Sequence, residues 1–188
     1  MRVIAGKFRS RRLQSLPGMD VRPTSDRLRE ALFDVLTAGN PAALEGTVWI
    51  DLFAGTGAVG IEALSRGADM VYFVESAPEA ADLIRKNLRG LGITGGFQVL
   101  RRDAVKVLQA WDNGGIKPNF VFLDPPYRME EAYAQALGNL AKSSLLLPET
   151  IVIAEHQRKF DPGEQVGQLQ RYRALRQGDA ALSFFRRR

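Results

Sequence analysis

Two short stretches carry residue types that an ordinary fold has no need of. Residues 120–129 read FVFLDPPYRM, four strand-forming apolar residues that end in Asp124 and are followed at once by Pro125, Pro126 and Tyr127. The aspartate puts a charge at the edge of a run made to be buried. Each proline fixes its own φ and restricts the residue before it, so the segment is a stiff presenter of oxygen atoms. Residues 51–60 read DLFAGTGAVG, with Gly55, Gly57 and Gly60 in G-x-G-x-x-G spacing between a strand pattern and a helix pattern. Glu75 closes the next strand pattern, 20 residues beyond Gly55. That is the spacing of a loop that holds a nucleotide-derived cofactor.

Asp51 discriminates between cofactors. A dinucleotide would lay its pyrophosphate against the glycine loop and the helix start, and a carboxylate at the end of the first strand would repel it. S-adenosylmethionine has no phosphate and carries a cationic ammonium and sulfonium, which Asp51 would favour. Glu75 suits either ligand, because a carboxylate accepts hydrogen bonds from two ribose hydroxyls in both. Asp103, in RRDA, reads equally as an acceptor for an adenine amino group or as a helix N-cap. The strand-order rule for open α/β sheets brings all these residues to the carboxyl edge of the sheet.

At that edge Asp124 would face the sulfonium. An exocyclic amine of a nucleobase is a poor nucleophile, because its lone pair is delocalised into the ring. Acceptors that hold its N–H bonds turn the lone pair toward the methyl group, and Asp124 with the carbonyl of Pro125 could supply two. Tyr127 offers a face for a base taken out of its stack, a contact worth roughly 1–3 kcal/mol. Asp124 is expected to act mainly by orientation, since the amine turns acidic only as the methyl arrives.

The elements that must position these groups follow from the alternation of patterns. Strands are predicted at 48–53, 70–75, 97–100, 120–123 and 150–155, with helices at 58–66, 78–89, 104–111 and 130–141 between them. After residue 160, QLQRYRALRQGDAALSFFRRR reads as two strands about a Gly178-Asp179 turn. The expected fold is α/β and Rossmann-like: a mostly parallel seven-stranded sheet with an antiparallel C-terminal hairpin and helices on both faces. Residues 22–36 read as a helix capped by Thr24 or Ser25, with Leu28, Ala31, Leu32 and Val35 as its apolar stripe. The expected division is a basic N-terminal extension over 1–40 and a sheet domain over 41–188. Trp49 and Trp111 are expected in the core. His156 is expected at the surface or behind the site rather than as a catalyst.

Composition narrows the classes. With 188 residues, 45% hydrophobic and 25% charged, the chain suits one globular domain. No apolar run reaches the roughly 20 residues of a membrane span, and the N-terminus lacks the apolar stretch of a signal peptide, so the expected location is the cytoplasm. No cysteine and one histidine leave no basis for a metal site. Net charge is +5, and Arg2, Lys7, Arg9, Arg11 and Arg12 stand in the first 12 residues with no acid among them. Such a cluster suits a phosphate backbone, and its binding should weaken as salt rises.

DLFAGTG with DPPY resembles the class I S-adenosylmethionine-dependent methyltransferases that act on exocyclic amines. MRVIAGKFRSRRL with RPTSDRLREALF is similar in particular to the RsmD family, and the resemblance covers nearly the whole chain. It implies methyl transfer to the N2 amine of a guanine in 16S rRNA, within an assembling small ribosomal subunit; a monomer is the expected state. By matching motif, Asp51, Gly55 and Gly57 would line the methionine end of the cofactor. Glu75 would take the ribose, and Asp103 and Ala104 the adenine. Asp124, Pro125, Pro126 and Tyr127 would form the base site, and Arg22, Thr24 and Arg27 would close over the cofactor. The tail beyond residue 160 matches no motif.

Other readings remain open on the residues alone. DNA adenine-N6 enzymes carry the same four residues but usually add a target-recognition region, for which this chain has little room. Enzymes that methylate protein glutamine usually have Asn where Asp124 stands. An NAD-linked oxidoreductase is disfavoured by Asp51. A catalytically silent RNA-binding protein would bind RNA and transfer no methyl.

Overall fold

The computed structural model describes residues 1–15, 25–112, 114–126 and 128–188. One sheet organises them. Its strands are β1 (Val48–Leu52), β2 (Met70–Val74), β3 (Phe97–Leu100), β4 (Phe120–Leu123), β5 (Ile151–Gln157), β6 (Gln165–Val166), β7 (Leu169–Gln177) and β8 (Ala180–Arg187). Their order is β3-β2-β1-β4-β5-β8-β7-β6. The first five pair in parallel and the last three antiparallel. The sheet therefore has eight strands rather than seven. The addition is β6, a two-residue edge strand too short to show any alternation. The chain runs outward from β1 through β2 and β3, then returns to place β4 on the other side of β1. That reversal opens a crevice at the carboxyl ends of β1 and β4.

Helices α1 (Asp26–Thr37), α2 (Ala58–Ser65) and α3 (Pro78–Gly90) cover one face, and α4 (Ala104–Trp111) and α5 (Glu130–Lys142) the other. Period-two alternation sorts the strand residues between the layers. Trp49, Phe73, Phe122 and Phe184 pack with Leu28, Phe33 and Ile84, while Ile50, Leu52, Val121 and Leu123 pack with Leu108, Leu137 and Leu140. Trp49 is fully buried, its ring 5.4 Å from Phe33 and 4.6 Å from Phe120. Trp111 lies only partly buried, edge-on to Tyr72 at 5.2 Å. His156 is 5% exposed, so it is not a surface residue. Its Nε2 lies 2.9 Å from the Ser183 hydroxyl, and burial lowers its pKa. None of the described helices is long and apolar enough to cross a membrane.

The N-terminal residues form a small antiparallel loop, with Val3 N–H donating to Arg11 O, Ser10 N–H to Val3 O, and a bridge between Arg2 and Arg12. It is pinned to α2 by a carboxylate that helical periodicity could not single out. Glu62, fully buried, accepts from the amides of Ile4 and Ala5 at 2.8 and 2.9 Å. Buried Arg29 of α1 faces the same carboxylate at 3.8 Å and donates to the carbonyl of Arg2. Val3 and Leu13 share the apolar layer of α1–α3. Ser25 caps α1, accepting from Leu28 N–H at 3.1 Å.

Gly60 shows how tightly α2 lies on the sheet. A Cβ there would sit 2.4 Å from Phe73 Cε1 and 2.8 Å from Val71 Cγ1. Alanine has the better helix propensity, by about 1 kcal/mol, but overpacking of this kind costs about 1–3 kcal/mol. Gly60→Ala is therefore expected to lower the thermal midpoint by up to about 8 °C. An unchanged or raised midpoint in a thermal melt would show that Phe73 yields freely.

Candidate active site

The carboxyl edge of β1 is built by an abrupt change of backbone direction. Phe53 has φ 59°, a left-handed conformation rare for an aromatic residue, and Gly55 and Gly57 follow at 53° and 76°. Gly57 is the N-cap of α2, and a Cβ there would stand 3.2 Å from Ile84. Both φ and space require glycine. The turn brings Gly60 N–H back to Asp51, whose Oδ2 accepts at 2.9 Å. Asp51 is 2% exposed. Burial, with the charges of Glu75 and Glu155, pushes its carboxyl up to about 8, against the opposing Gly60 hydrogen bond.

Glu75 is held in place by the loop it serves. Its Oε2 accepts from Gly55 N–H at 2.9 Å and its Oε1 from Ala77 N–H at 2.8 Å. Asp103 is the N-cap of α4, accepting from Lys106 N–H at 3.0 Å, and Ala104 begins that helix, buried. The capping reading of Asp103 is thus realised.

Asp124 comes directly after β4. Leu123 lies in register with Leu52 on one side and Ala154 on the other, so Asp124 comes level with Phe53 and Glu155. Asp124 is half-buried. Burial first, then the charges of Glu155 and Asp51, hold its carboxyl well above the usual range. The two aspartates named from sequence therefore meet on one rim, either side of the strand reversal. The turn that follows is anchored from below: the one hydroxyl proton of Tyr133 of α5 is shared between Glu155 O at 2.9 Å and Pro125 O at 3.2 Å. The Pro125 carbonyl is thus already engaged, and only its remaining lone pair could meet an amine. Pro126 is exposed, and its carbonyl accepts from Met129 N–H. Tyr127, Arg22 and Thr24 lie outside the described residues. Arg27 is exposed on the first turn of α1, and Arg2, Lys7, Arg9, Arg11 and Arg12 are exposed on the N-terminal loop.

Sequence reasoning passed over Glu155, which is 2% exposed and completes the acidic rim. It follows an apolar run as Asp51 and Asp124 do, although β5 continues to Gln157, so the same signal was present. It also passed over Asn87 of α3. That side chain accepts from Gln14 N–H at 2.8 Å and donates to Thr56 O at 3.0 Å, joining the basic extension to the glycine loop. Among the described residues no group of three or more such side chains is arranged to hold a metal ion. A rim of carboxyls strained by burial and mutual repulsion fits a ligand with sulfonium and ammonium charges, and would repel a pyrophosphate.

Residues 1–186 match the family described as conserved hypothetical protein 95. The chain belongs to this family, the RsmD methyltransferases. YlbH of Bacillus subtilis is 34% identical over 188 residues, covering 100% of both chains. The ribosomal RNA small subunit methyltransferase D of Haemophilus influenzae is 34% identical over 161 residues, 84% of this chain and 79% of that one. Among solved structures, the yhhF protein of Escherichia coli superposes with a TM-score of 0.81 at 30% identity, covering 100% of this chain and 97% of that chain. Family and fold make this RsmD chain an S-adenosylmethionine-dependent methyltransferase of the class I type.

Proposed function

We propose that this RsmD protein methylates the exocyclic N2 amine of a guanine in 16S rRNA of the small ribosomal subunit. The observation that supports it most is the meeting of Asp51 and Asp124 on one rim, level with the glycine loop. When bound there, S-adenosylmethionine supplies an electrophilic methyl on a sulfonium and leaves as neutral S-adenosylhomocysteine. Asp51, Gly55 and Gly57 take its methionine end, Glu75 its ribose, and Asp103 with Ala104 its adenine, with Thr24 and Arg27 as cover. Asp124 accepts an N–H of the target amine, so that the nitrogen lone pair points along the line of displacement, and receives the proton as the amine becomes acidic. Burial and the charges of Glu155 and Asp51 hold this carboxyl above its usual range, so its ionised form is the more basic acceptor for that proton. Tyr127 supplies the face on which the guanine stacks.

The extension over 1–40 contacts RNA through Arg2, Lys7, Arg9, Arg11 and Arg12, each exposed. Its anchorage through Glu62 and Asn87 ties those contacts to α2 and the glycine loop. The protein works as a cytoplasmic monomer on the assembling subunit.

Tritiated methyl transfer to small subunits from cells lacking the protein tests the reading, with the labelled nucleoside then identified. Label in N2-methylguanosine is expected. Label in N6-methyladenosine would redirect the site to adenine, and no transfer by the intact protein would leave an RNA-binding protein without activity.

A further inference from the structure

The C-terminal ribbon, which matched no motif, carries a second feature with the chemistry of nucleic-acid contact. Strands β7 and β8 pair from Gln177↔Ala180 down to Leu169↔Arg187, but the register shifts between Arg171 and Arg173. Tyr172 is the extra residue of that bulge, and a bulge re-aims the side chain that it carries. Tyr172 is 46% exposed, and Met129 is the other large hydrophobic residue comparably open among the described residues. Its ring lies 6.3 Å from Phe184, which belongs to the apolar layer that also holds Trp49. Tyr172 therefore stands on the sheet face that carries Asp51 and the N-terminal loop.

One guanidinium lies over the ring, and a second belongs to the next residue in the chain, exposed Arg173. The Arg186 Cζ lies 4.7 Å from its centroid, and the charges of Arg186 and Arg173 both act on the Tyr172 hydroxyl. Neighbouring Arg171 is neutralised by Asp161 at 2.6 Å. Among the described residues no carboxylate pairs with Arg173 or Arg186. Leu175 lies in register with Leu182, and Leu182 with Glu155. Tyr172 therefore lies two strands over and three residues along from the acidic rim, a separation on the order of 15 Å. A few nucleotides of extended strand cover that distance.

We propose that Tyr172, Arg173 and Arg186 form a second docking surface for the RNA substrate, on which a base beside the target stacks while the guanidiniums meet the adjoining phosphates. This rests on the RNA reading above and deepens it. An exposed aromatic face next to cations without acidic partners is the chemistry of single-strand binding. A protein partner would call for a contiguous apolar patch, and here a single ring is exposed among arginines.

The test compares wild type with Tyr172→Ala, Tyr172→Phe and the pair Arg173→Gln with Arg186→Gln. Steady-state methyl transfer to small subunits is measured, together with fluorescence anisotropy on labelled, protein-free small-subunit rRNA over a series of salt concentrations. Tyr172→Ala is expected to raise KM and the RNA Kd about tenfold while kcat stays within about twofold, and Tyr172→Phe to restore both. The glutamine pair should reduce the slope of log K against log salt by about 1.5. Thermal melts and S-adenosylhomocysteine titration confirm that the variants fold, and the arginine pair stands if Tyr172→Ala does not. Unchanged RNA affinity in both the alanine and glutamine variants overturns the proposal, as does a KM effect seen on the particle with no loss of affinity for protein-free RNA, which would mark a protein contact. Failure of wild type to methylate any RNA would instead sink the functional reading, and the anisotropy would still decide whether this surface binds RNA.

Discussion

Asp124→Ala is expected to lower kcat by about 10²–10⁴-fold, the range for removing a positioned acceptor of a proton. Binding of S-adenosylhomocysteine should stay within about threefold of wild type, because Asp51 and Glu75 hold their own hydrogen bonds to Gly60, Gly55 and Ala77 without help from Asp124. The variant should not be less stable. Asp124 is held above its ordinary range by burial and by the charges of Glu155 and Asp51, so removing it relieves a repulsion. Asp124→Asn keeps one acceptor oxygen and should retain part of the activity. Single-turnover methyl transfer with calorimetric titration separates these effects. Turnover equal to wild type in Asp124→Ala would remove the residue from the mechanism.

Asp51→Asn tests the other side of the rim and should move stability and function in opposite directions. Asparagine still accepts from Gly60 N–H but carries no charge to balance a sulfonium or an ammonium. Loss of a charged hydrogen bond is worth about 1.5–3 kcal/mol, so affinity for S-adenosylmethionine should fall roughly 10–150-fold. The wild-type carboxyl is raised from 3.8 to about 8 in the folded protein. Between those values the folded state holds a proton that the unfolded chain has released, so this group's contribution to stability is full below 3.8 and is lost as pH climbs to about 8. Asp51→Asn lacks that loss, and its thermal midpoint should overtake wild type by a margin that grows toward pH 8. For the same reason, wild-type affinity for the cationic cofactor should rise between pH 6 and pH 8 with release of a proton, and the variant's should not. Melts at several pH values and titrations in buffers of different ionisation enthalpy check both. Parallel wild-type and variant profiles would mean that Asp51 is already ionised in the free protein.

Much of the site was legible because its signals are local. Gly57 is required by a positive φ and a close approach to Ile84, and the glycine spacing announces such a turn. Asp51 and Asp124 each end an apolar strand with a charge, which a buried run does not tolerate without cause. Glu155 also follows an apolar run, but β5 continues through His156, whose ring packs against Ser183, to Gln157. Glu62 sits in AVGIEALS, where a single acid reads as the solvent face of a short helix. It is buried because the N-terminal loop folds over that face.

The sequence alone determined the alternation of strands and helices, the positive N-terminus and the acidic endings of β1 and β4, because backbone preference, period and charge belong to a few neighbouring residues. Which endings meet was decided by the tertiary structure. Each β4 residue pairs with a β1 residue 71 positions earlier, and the order of strands settles whether Asp124 stands beside Asp51. The raised carboxyls, the clamp of Glu62 on the extension and the exposure of Tyr172 at its bulge are likewise properties of packing. Desolvation and charge repulsion act through space, and no local pattern encodes which groups the fold will crowd together.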